Sequence, residues 1–168
     1  MNEKKSVASS GNDLDPNCAG CAIIRGDIKV PGGVIYEGNI AILAADPEVP
    51  IPGFLVVTSK RHARSLSELS NNECHEVADI IFYAEKALKS LGINEVTLVQ
   101  EERSSHLHFW IFPNYGWMIE KYGKGITYLR DISEYAKETF ADEDMDKILL
   151  IVEKVRDYFN DCGIKTEA

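Results

Sequence analysis

Cysteine and histidine are the residues of this sequence that are best suited to chemistry, and they occur in close pairs. Cys18 and Cys21 are separated by two residues, so one tight turn brings both thiolates within reach of a single tetrahedral ion. His106 and His108 alternate along a β-prone segment, which brings two imidazoles together. These groups predict metal binding, proton transfer or nucleophilic attack.

The spacing of Cys18 and Cys21 favours zinc binding over a redox function. A thioredoxin-like pair follows a strand and opens a long helix, whereas the run Asp13–Asn17 before Cys18 supplies no strand. Zinc held by two cysteines and two histidines is a common structural site. The candidates for the remaining two ligands are the histidines His62, His106 and His108. The alternative is two ordinary buried cysteines.

The segment His106–Phe112 has the alternation of a β-strand. Residues two apart share a face of a strand. One face therefore carries His106, His108 and Trp110. The other face carries Leu107, Phe109 and Ile111, which we expect in the core. Two partly buried histidines that bond to backbone carbonyls are the alternative, but a polar loop containing arginine and serine precedes this segment and favours a ligand or catalytic role.

Five β-prone runs position these residues. They are Gly33–Glu37, Ile40–Ala44, Gly53–Thr58, Glu95–Gln100 and His106–Phe112. The Gly38-Asn39 pair between the first two runs predicts a hairpin. Three prolines within 46–52 predict a loop between the second and third runs.

Two helices are predicted from apolar periodicity. The first begins at a capping box, Ser70–Glu73, and ends at Gly92. The second follows Asp142, and its apolar stripe runs from Met145 to Phe159. Aromatic residues and glycines between 115 and 128 predict an ordered but irregular segment. The fold class is therefore α+β, with a mainly antiparallel sheet of about five strands, a long helix and a C-terminal helix.

Composition limits the organisation and the function classes. The 168 residues fit a flexible tail at 1–14, one domain at 15–140 and a helical extension at 141–168 that packs on the domain. A net charge of −9 argues against binding to nucleic-acid backbones. The sequence contains neither a signal-peptide pattern nor a long apolar run, so we expect a cytoplasmic protein without membrane contact.

Three motifs in order carry a resemblance to a known family. They are Cys18–Asp27, then Gly53–His62, then His106–Pro113. Together they resemble the histidine triad (HIT) family, over residues 18 to about 115. The resemblance implies a HIT-like α+β domain that forms a homodimer and acts on nucleoside phosphates or dinucleoside polyphosphates.

The resemblance also assigns roles to individual residues. It implies a structural zinc ion bound by Cys18, Cys21, His62 and His106. His108 corresponds to the nucleophile, which forms a phospho- or nucleotidyl-histidine intermediate. Substrate-binding residues are implied at Asp46 for the ribose, Ile23 for the base, and Arg103 and Ser104 for the phosphate. The implied activity is that of a nucleotide hydrolase or transferase, similar to a diadenosine polyphosphate hydrolase.

The sequence departs from the family pattern beside the nucleophile. Trp110 replaces the third histidine, and Phe54 stands where a further active-site histidine is frequent. Small residues (Ala19, Gly20 and Ala44) occupy positions of the base pocket that are commonly large, and Trp110 or Trp117 could refill it by stacking. A catalytically degenerate, zinc-stabilised nucleotide-binding or regulatory domain is therefore the alternative to an enzyme. A third hypothesis is a structural protein in which the side chains of Trp110 and Phe54 fill the space that forms the active-site pocket in the family.

Overall fold

The computed structural model of the protein describes residues 14–140 and 144–163. The tail predicted at residues 1–14 lies, except for its last residue, outside the described residues. Residues 141–143 and 164–168, at the two ends of the predicted C-terminal extension, also lie outside the described residues.

A five-stranded antiparallel sheet forms the centre of the fold. Its strands are β1 (Tyr36–Glu37), β2 (Ala41–Ala45), β3 (Leu55–Ser59), β4 (Val96–Val99) and β5 (His108–Pro113). They lie in the order β1-β2-β3-β5-β4, and every neighbouring pair is antiparallel. The five strands and the antiparallel α+β class predicted from the sequence are confirmed.

Five α-helices accompany the sheet in the described residues. They are α1 (Ala19–Arg25), α2 (Asn71–Ser90), α3 (Gly116–Tyr122), α4 (Leu129–Thr139) and α5 (Met145–Asp161). The predicted capping box begins α2: the Ser70 hydroxyl accepts from the Glu73 N–H, and the Glu73 carboxylate accepts from the Ser70 N–H at 2.7 Å. Of the helices that the structure describes, none has the length and apolar character required to span a bilayer.

The two faces of the sheet pack against different helices. One face buries Leu43, Leu55, Val57, Phe109 and Ile111 beneath α2 and α5. As predicted, Leu107 belongs to this core with Phe109 and Ile111. The opposite face carries His108, and part of it packs against α3 and α4 in a second apolar cluster. Burial of both faces fixes the register of the strands, and with it the position of His108.

Most of the chain from Gly116 to Thr139 is helical, where the sequence predicted an irregular segment over 115–128. Helix α3 ends before Gly123 and Gly125, whose φ angles of 89° and 116° suit glycine. A short 3₁₀ turn at Ile126–Tyr128 then leads into α4. The aromatic residues pack between the two helices, with the Trp117 ring centroid 5.7 Å from that of Tyr135.

Candidate functional site

Two cysteines and two histidines meet where α1 approaches the chain segment that precedes β5. The ligand atoms of Cys18, Cys21, His62 and His106 all lie within 4.8 Å of one another. Cys18 precedes α1 and Cys21 lies within it, His62 follows β3, and His106 precedes β5. These residues lie at or near the ends of three elements, and the chain turns there bring their side chains into one cluster. Three of the four residues are buried, and His62 is half-buried.

The distances in this cluster fit a tetrahedral metal ion. The Sγ atom of Cys21 lies 3.2 Å from Nδ1 of His62 and 3.4 Å from Nδ1 of His106. The Sγ atom of Cys18 lies 3.5 Å from the same His106 nitrogen. Zinc bonds of about 2.3 Å to sulfur and about 2.1 Å to nitrogen place tetrahedral S and N ligands about 3.5 Å apart. The donor set and its spacing are therefore those of a Cys₂His₂ zinc site.

His106 is held in the tautomer that metal binding requires. Its Nε2–H donates to the carbonyl oxygen of Ser59 at 2.7 Å, so the lone pair of Nδ1 faces the two thiols. Burial lowers the pKa of His106, which favours the neutral ring that can coordinate a metal. Burial opposes ionisation of Cys18, but hydrogen bonds from the Ser105 hydroxyl and from nearby backbone outweigh it and lower the pKa of this thiol.

Gly20 permits α1 to lie directly against the His106 ring. A Cβ atom at position 20 would stand 2.4 Å from Cγ of His106 and 2.7 Å from its Cβ, well inside van der Waals contact. Glycine is therefore required here by close approach rather than by backbone conformation. The sequence alone suggested only that Gly20 widens a base pocket, so this contact was missed.

His108 begins β5 and is half-buried on the side of the sheet opposite the main core. Its Nδ1–H donates to the carbonyl oxygen of His106 at 2.9 Å. The hydroxyl of Ser104 donates to the same carbonyl at 2.9 Å and lies 3.3 Å from Nδ1 of His108. Because Nδ1 carries the proton in this arrangement, Nε2 has the free lone pair and can act as a nucleophile or a base.

Aromatic side chains extend the surface beside His108. The ring centroids of His108 and Trp110 are 6.1 Å apart, and those of Trp110 and Phe54 are 5.3 Å apart with an edge-to-face geometry. Phe54 is buried, and its ring centroid lies 4.8 Å from that of Phe112. Phe54 is thus part of the second apolar cluster, while half-buried Trp110 forms a wall next to His108.

The structure separates the two loop residues expected to bind phosphate. Ser104 lies against His108, as described above. The side chain of Arg103 is 90% exposed, and it pairs with Glu101 at 3.7 Å. Arg130 of α4 approaches the same carboxylate to 3.4 Å. The structure therefore brings Ser104, and not Arg103, into contact with the candidate nucleophile.

Asp46 follows the end of β2, four positions beyond Ile42, which is level with His108 across β3. One oxygen of Asp46 accepts from the N–H groups of Glu48 and Val49 at 2.9 and 2.8 Å. This side chain thus forms the turn before the proline-rich loop, and burial raises its pKa. Ile23 is half-buried on α1.

Two depressions are formed elsewhere on the described surface. One, of about 400 Å³, is lined by residues that include Trp117, Phe140 and Leu150. The other, of about 270 Å³, is lined by residues that include Asp46 and Lys137. His108, Ser104 and Trp110 line neither of these two depressions.

Comparison with known proteins supports the expectation from the sequence motifs. No family model matches the sequence. The chain is 29% identical over 116 residues to adenosine 5′-monophosphoramidase hnt1 of Schizosaccharomyces pombe, an alignment that covers 66% of this chain and 81% of that protein.

Two solved structures have a similar fold. A Zn-bound histidine triad family protein from Mycobacterium smegmatis aligns with a TM-score of 0.60 and 16% identity, over 88% of this chain and 96% of that one. A hypothetical histidine triad nucleotide-binding protein from Sulfolobus tokodaii aligns with a TM-score of 0.61 and 18% identity, over 86% and 93%. The predicted resemblance is confirmed, and this chain has the fold of the histidine triad proteins.

Proposed function

We propose that this protein is a nucleotide hydrolase or transferase that uses His108 as its nucleophile. The observation that carries the proposal is the hydrogen bond from Nδ1 of His108 to the His106 carbonyl, because in the neutral ring it leaves the lone pair on Nε2. A neutral imidazole in this tautomer attacks phosphorus without first losing a proton. The similarity to an adenosine 5′-monophosphoramidase supports chemistry at a nucleotide phosphorus.

The reaction proceeds in two displacements. Nε2 of His108 forms a bond to the α-phosphorus, and the bond from phosphorus to the leaving group breaks with its electron pair on the leaving group. The resulting nucleotidyl-histidine is then attacked by water or another acceptor, which loses its proton to solvent while the P–N bond breaks. Ser104 supports both steps by holding the His106 carbonyl that orients the ring.

The substrate that we propose is a nucleoside phosphate or a dinucleoside polyphosphate, such as a diadenosine polyphosphate. In this assignment Ile23 contacts the base, Asp46 binds the ribose, and Ser104 and Arg103 bind the phosphate. Only one oxygen of Asp46 accepts backbone hydrogen bonds, which supports a role for the second oxygen toward hydroxyl groups. Trp110 supplies an aromatic surface for the substrate beside His108.

We also propose that zinc occupies the Cys18–Cys21–His62–His106 cluster and has a structural role. When bound, zinc crosslinks α1 to the chain segments that follow β3 and precede β5. The ligand spacing supports this assignment, as does the Zn-bound state of the similar Mycobacterium smegmatis protein. A bound ion would hold His106, whose backbone carbonyl orients the ring of His108.

A comparison of two histidine variants tests the function. His108→Ala should reduce hydrolysis of a panel of nucleoside phosphates and diadenosine polyphosphates by at least about 10³-fold. His75→Ala is the matched control, because His75 is exposed on α2, and it should retain the wild-type rate. Equal rates for His108→Ala and the wild-type protein would rule out His108 as the nucleophile.

The second candidate function is a nucleotide-binding or regulatory domain without turnover. The observation that favours it is Trp110, which adjoins His108 where a proton-transferring histidine is frequent. Isothermal titration with a nucleotide would then give saturable binding, and prolonged incubation would give neither product nor covalent adduct. Formation of product that depends on His108 would exclude this candidate.

The organisation that we propose is a homodimer of cytoplasmic chains with a HIT-like domain at 15–140 and a helical extension at 141–168. The packing of Ile148, Val152 and Val155 of α5 into the main core supports an extension that is docked on the domain. The predominance of acidic residues, with a net charge of −9, supports small nucleotides rather than nucleic-acid backbones as partners. Light scattering after size-exclusion chromatography measures the assembly directly.

A further inference from the structure

The leaving group determines what the surroundings of His108 must supply. When Nε2 displaces a group from phosphorus, that group receives the electron pair of the broken bond. Phosphate, polyphosphate, carboxylate and aryl oxide groups are stable with this charge. An amine, by contrast, departs only after it has gained a proton, so a phosphoramidate requires an acid near the nucleophile.

The side chains next to His108 on its face of the sheet are poor acids. Thr58 is level with His108 on the adjacent strand β3, and Trp110 lies two positions along β5. Neither a threonine hydroxyl nor an indole N–H releases a proton near neutral pH. The two strand positions that flank the nucleophile therefore lack a general acid.

The other ionisable groups near this position are already engaged. His106 donates from Nε2 to Ser59, and its Nδ1 faces the thiols of the proposed zinc site. Glu101 lies on the exposed loop and pairs with Arg103 and Arg130. Within the part of the chain that the structure describes, the hydrogen-bond partners of the His108 side chain are Ser104 and the His106 carbonyl.

Trp110 is held in a position to contact the substrate. Its ring packs edge-on against buried Phe54 and faces His108, and it is half-buried. Its contacts to described residues are ring contacts, so its indole N–H is available to a ligand. An indole N–H can donate a hydrogen bond to a phosphate oxygen without transferring the proton. Trp110 therefore stabilises negative charge but does not protonate an amine.

We propose that Trp110 is a specificity-determining residue that restricts the reaction to nucleoside phosphates whose leaving group departs as an anion. Phosphoanhydrides, including dinucleoside polyphosphates, and acyl or aryl phosphates are accepted on this basis. Phosphoramidates with an amine leaving group are excluded. The inference rests on the proposed function, because it requires attack by His108, and it distinguishes this chain from its phosphoramidase relative.

The first test uses the wild-type protein and a series of substrates. A set of aryl esters of adenosine 5′-monophosphate, made with phenols of graded acidity, varies the leaving group while the nucleotide stays constant. Without a general acid, kcat/KM should fall steeply as the phenol becomes less acidic. Adenosine 5′-phosphoramidate should react at least about 100-fold more slowly than the p-nitrophenyl ester. A flat dependence on phenol acidity, or phosphoramidate cleavage within about tenfold of the ester, would overturn the proposal.

The second test assigns the restriction to Trp110. Trp110→His introduces an imidazole that can donate a proton, and should raise kcat/KM for the phosphoramidate relative to the p-nitrophenyl ester by about 100-fold. Trp110→Phe is the matched control, since it keeps an aromatic ring without an acid, and should leave this ratio low. An equal increase in both variants would show that space rather than proton transfer limits the reaction, and the proposal would be wrong. Coincident thermal melting curves verify that the variants are folded.

His108→Ala separates this inference from the proposed function. Loss of p-nitrophenyl ester cleavage in His108→Ala supports the nucleophile, whichever way the leaving-group test turns out. If the wild-type protein and His108→Ala cleave the ester equally, the proposed function fails and the inference falls with it. If His108 is essential but the phosphoramidate reacts as fast as the ester, the inference alone is wrong.

Discussion

Nδ1 of His108 lies 2.9 Å from the carbonyl oxygen of His106, and the ring of His106 faces two cysteine thiols. The residue proposed as nucleophile is thus oriented by the backbone of a residue proposed as zinc ligand. His106 is fixed in turn through its bond to Ser59. Changes in the cysteine cluster should therefore affect both the stability of the fold and the alignment of His108.

Removal of a thiolate should affect metal content and stability together. We expect wild-type protein to contain about one zinc ion per chain, and Cys18→Ser to contain much less. Loss of about 3 kcal/mol of metal-derived stability corresponds to a decrease in Tm of roughly 6–12 °C for a chain of this size. Elemental analysis and differential scanning calorimetry measure the two effects. Cys162→Ser, at an exposed cysteine after α5, is the matched control and should change neither. Full zinc occupancy in Cys18→Ser would contradict the assignment.

Substitution at Gly20 tests the close approach of α1 to His106. Gly20→Ala should lower the free energy of unfolding by about 1–3 kcal/mol, because its Cβ would overlap the His106 ring. Gly116→Ala is the control: an added Cβ there meets nothing within 4 Å, and alanine should stabilise the start of α3 by about 0.4–1 kcal/mol. Urea denaturation measures both values. Effects of the same sign would argue against the packing described for Gly20.

The Ser104 hydroxyl should contribute to alignment of the nucleophile. Ser104→Ala removes its bonds to the His106 carbonyl and to His108. Because Ser104 acts in part through His108, we expect kcat to fall about tenfold while KM changes less. Ser90→Ala, which loses a similar serine-to-carbonyl bond at the end of α2, should leave the kinetics unchanged. An increase in KM with unchanged kcat would indicate substrate binding instead.

The ion pair between Arg61 and Glu73 should make stability depend on pH. The Arg61 guanidinium lowers the pKa of Glu73 from 4.5 to about 2. The charged carboxylate therefore stabilises the fold fully above about pH 4.5, and this contribution is lost as the pH falls toward 2. We expect Glu73→Gln to cost about 1 kcal/mol at neutral pH, allowing for solvent screening of a partly exposed pair.

The pH dependence of the Glu73→Gln effect identifies its origin. The difference in unfolding free energy from wild type should shrink as the pH is lowered through 4.5 toward 2. Glu85→Gln removes a longer contact, 3.9 Å, with Lys89 on the exposed side of α2, and should have a small effect at every pH. A Glu73→Gln effect that stays constant with pH would exclude the ion pair as its cause.

Local periodicity was sufficient to predict much of this fold. The alternation of Leu107, Phe109 and Ile111 with polar and aromatic residues identified β5 and its buried face, because side chains of a strand point alternately to its two sides. Ser70 and Glu73 located the start of α2, because a capping box satisfies backbone groups of its own helix. These features depend on neighbours in the sequence.

Features that depend on contacts between distant segments were harder to predict. Helix α4 has few buried apolar residues (Leu129, Ile132 and Ala136), and glycines precede it. Its sequence therefore lacks the clear apolar periodicity that distinguishes a helix from a loop. His106 lies just before β5 rather than within it, and its ring turns to the cysteines. The requirement for glycine at position 20 arises only when α1 meets that ring.

Detection of the covalent intermediate tests the central claim most directly. Zinc-loaded protein is mixed with a diadenosine polyphosphate or the p-nitrophenyl ester of adenosine 5′-monophosphate, denatured rapidly at alkaline pH and digested for mass spectrometry. We predict an adenylyl group on the peptide that contains His108, formed and lost at rates consistent with turnover, and its absence in His108→Ala. Turnover by wild-type protein without any adduct, at a rate that His108→Ala matches, would contradict the account.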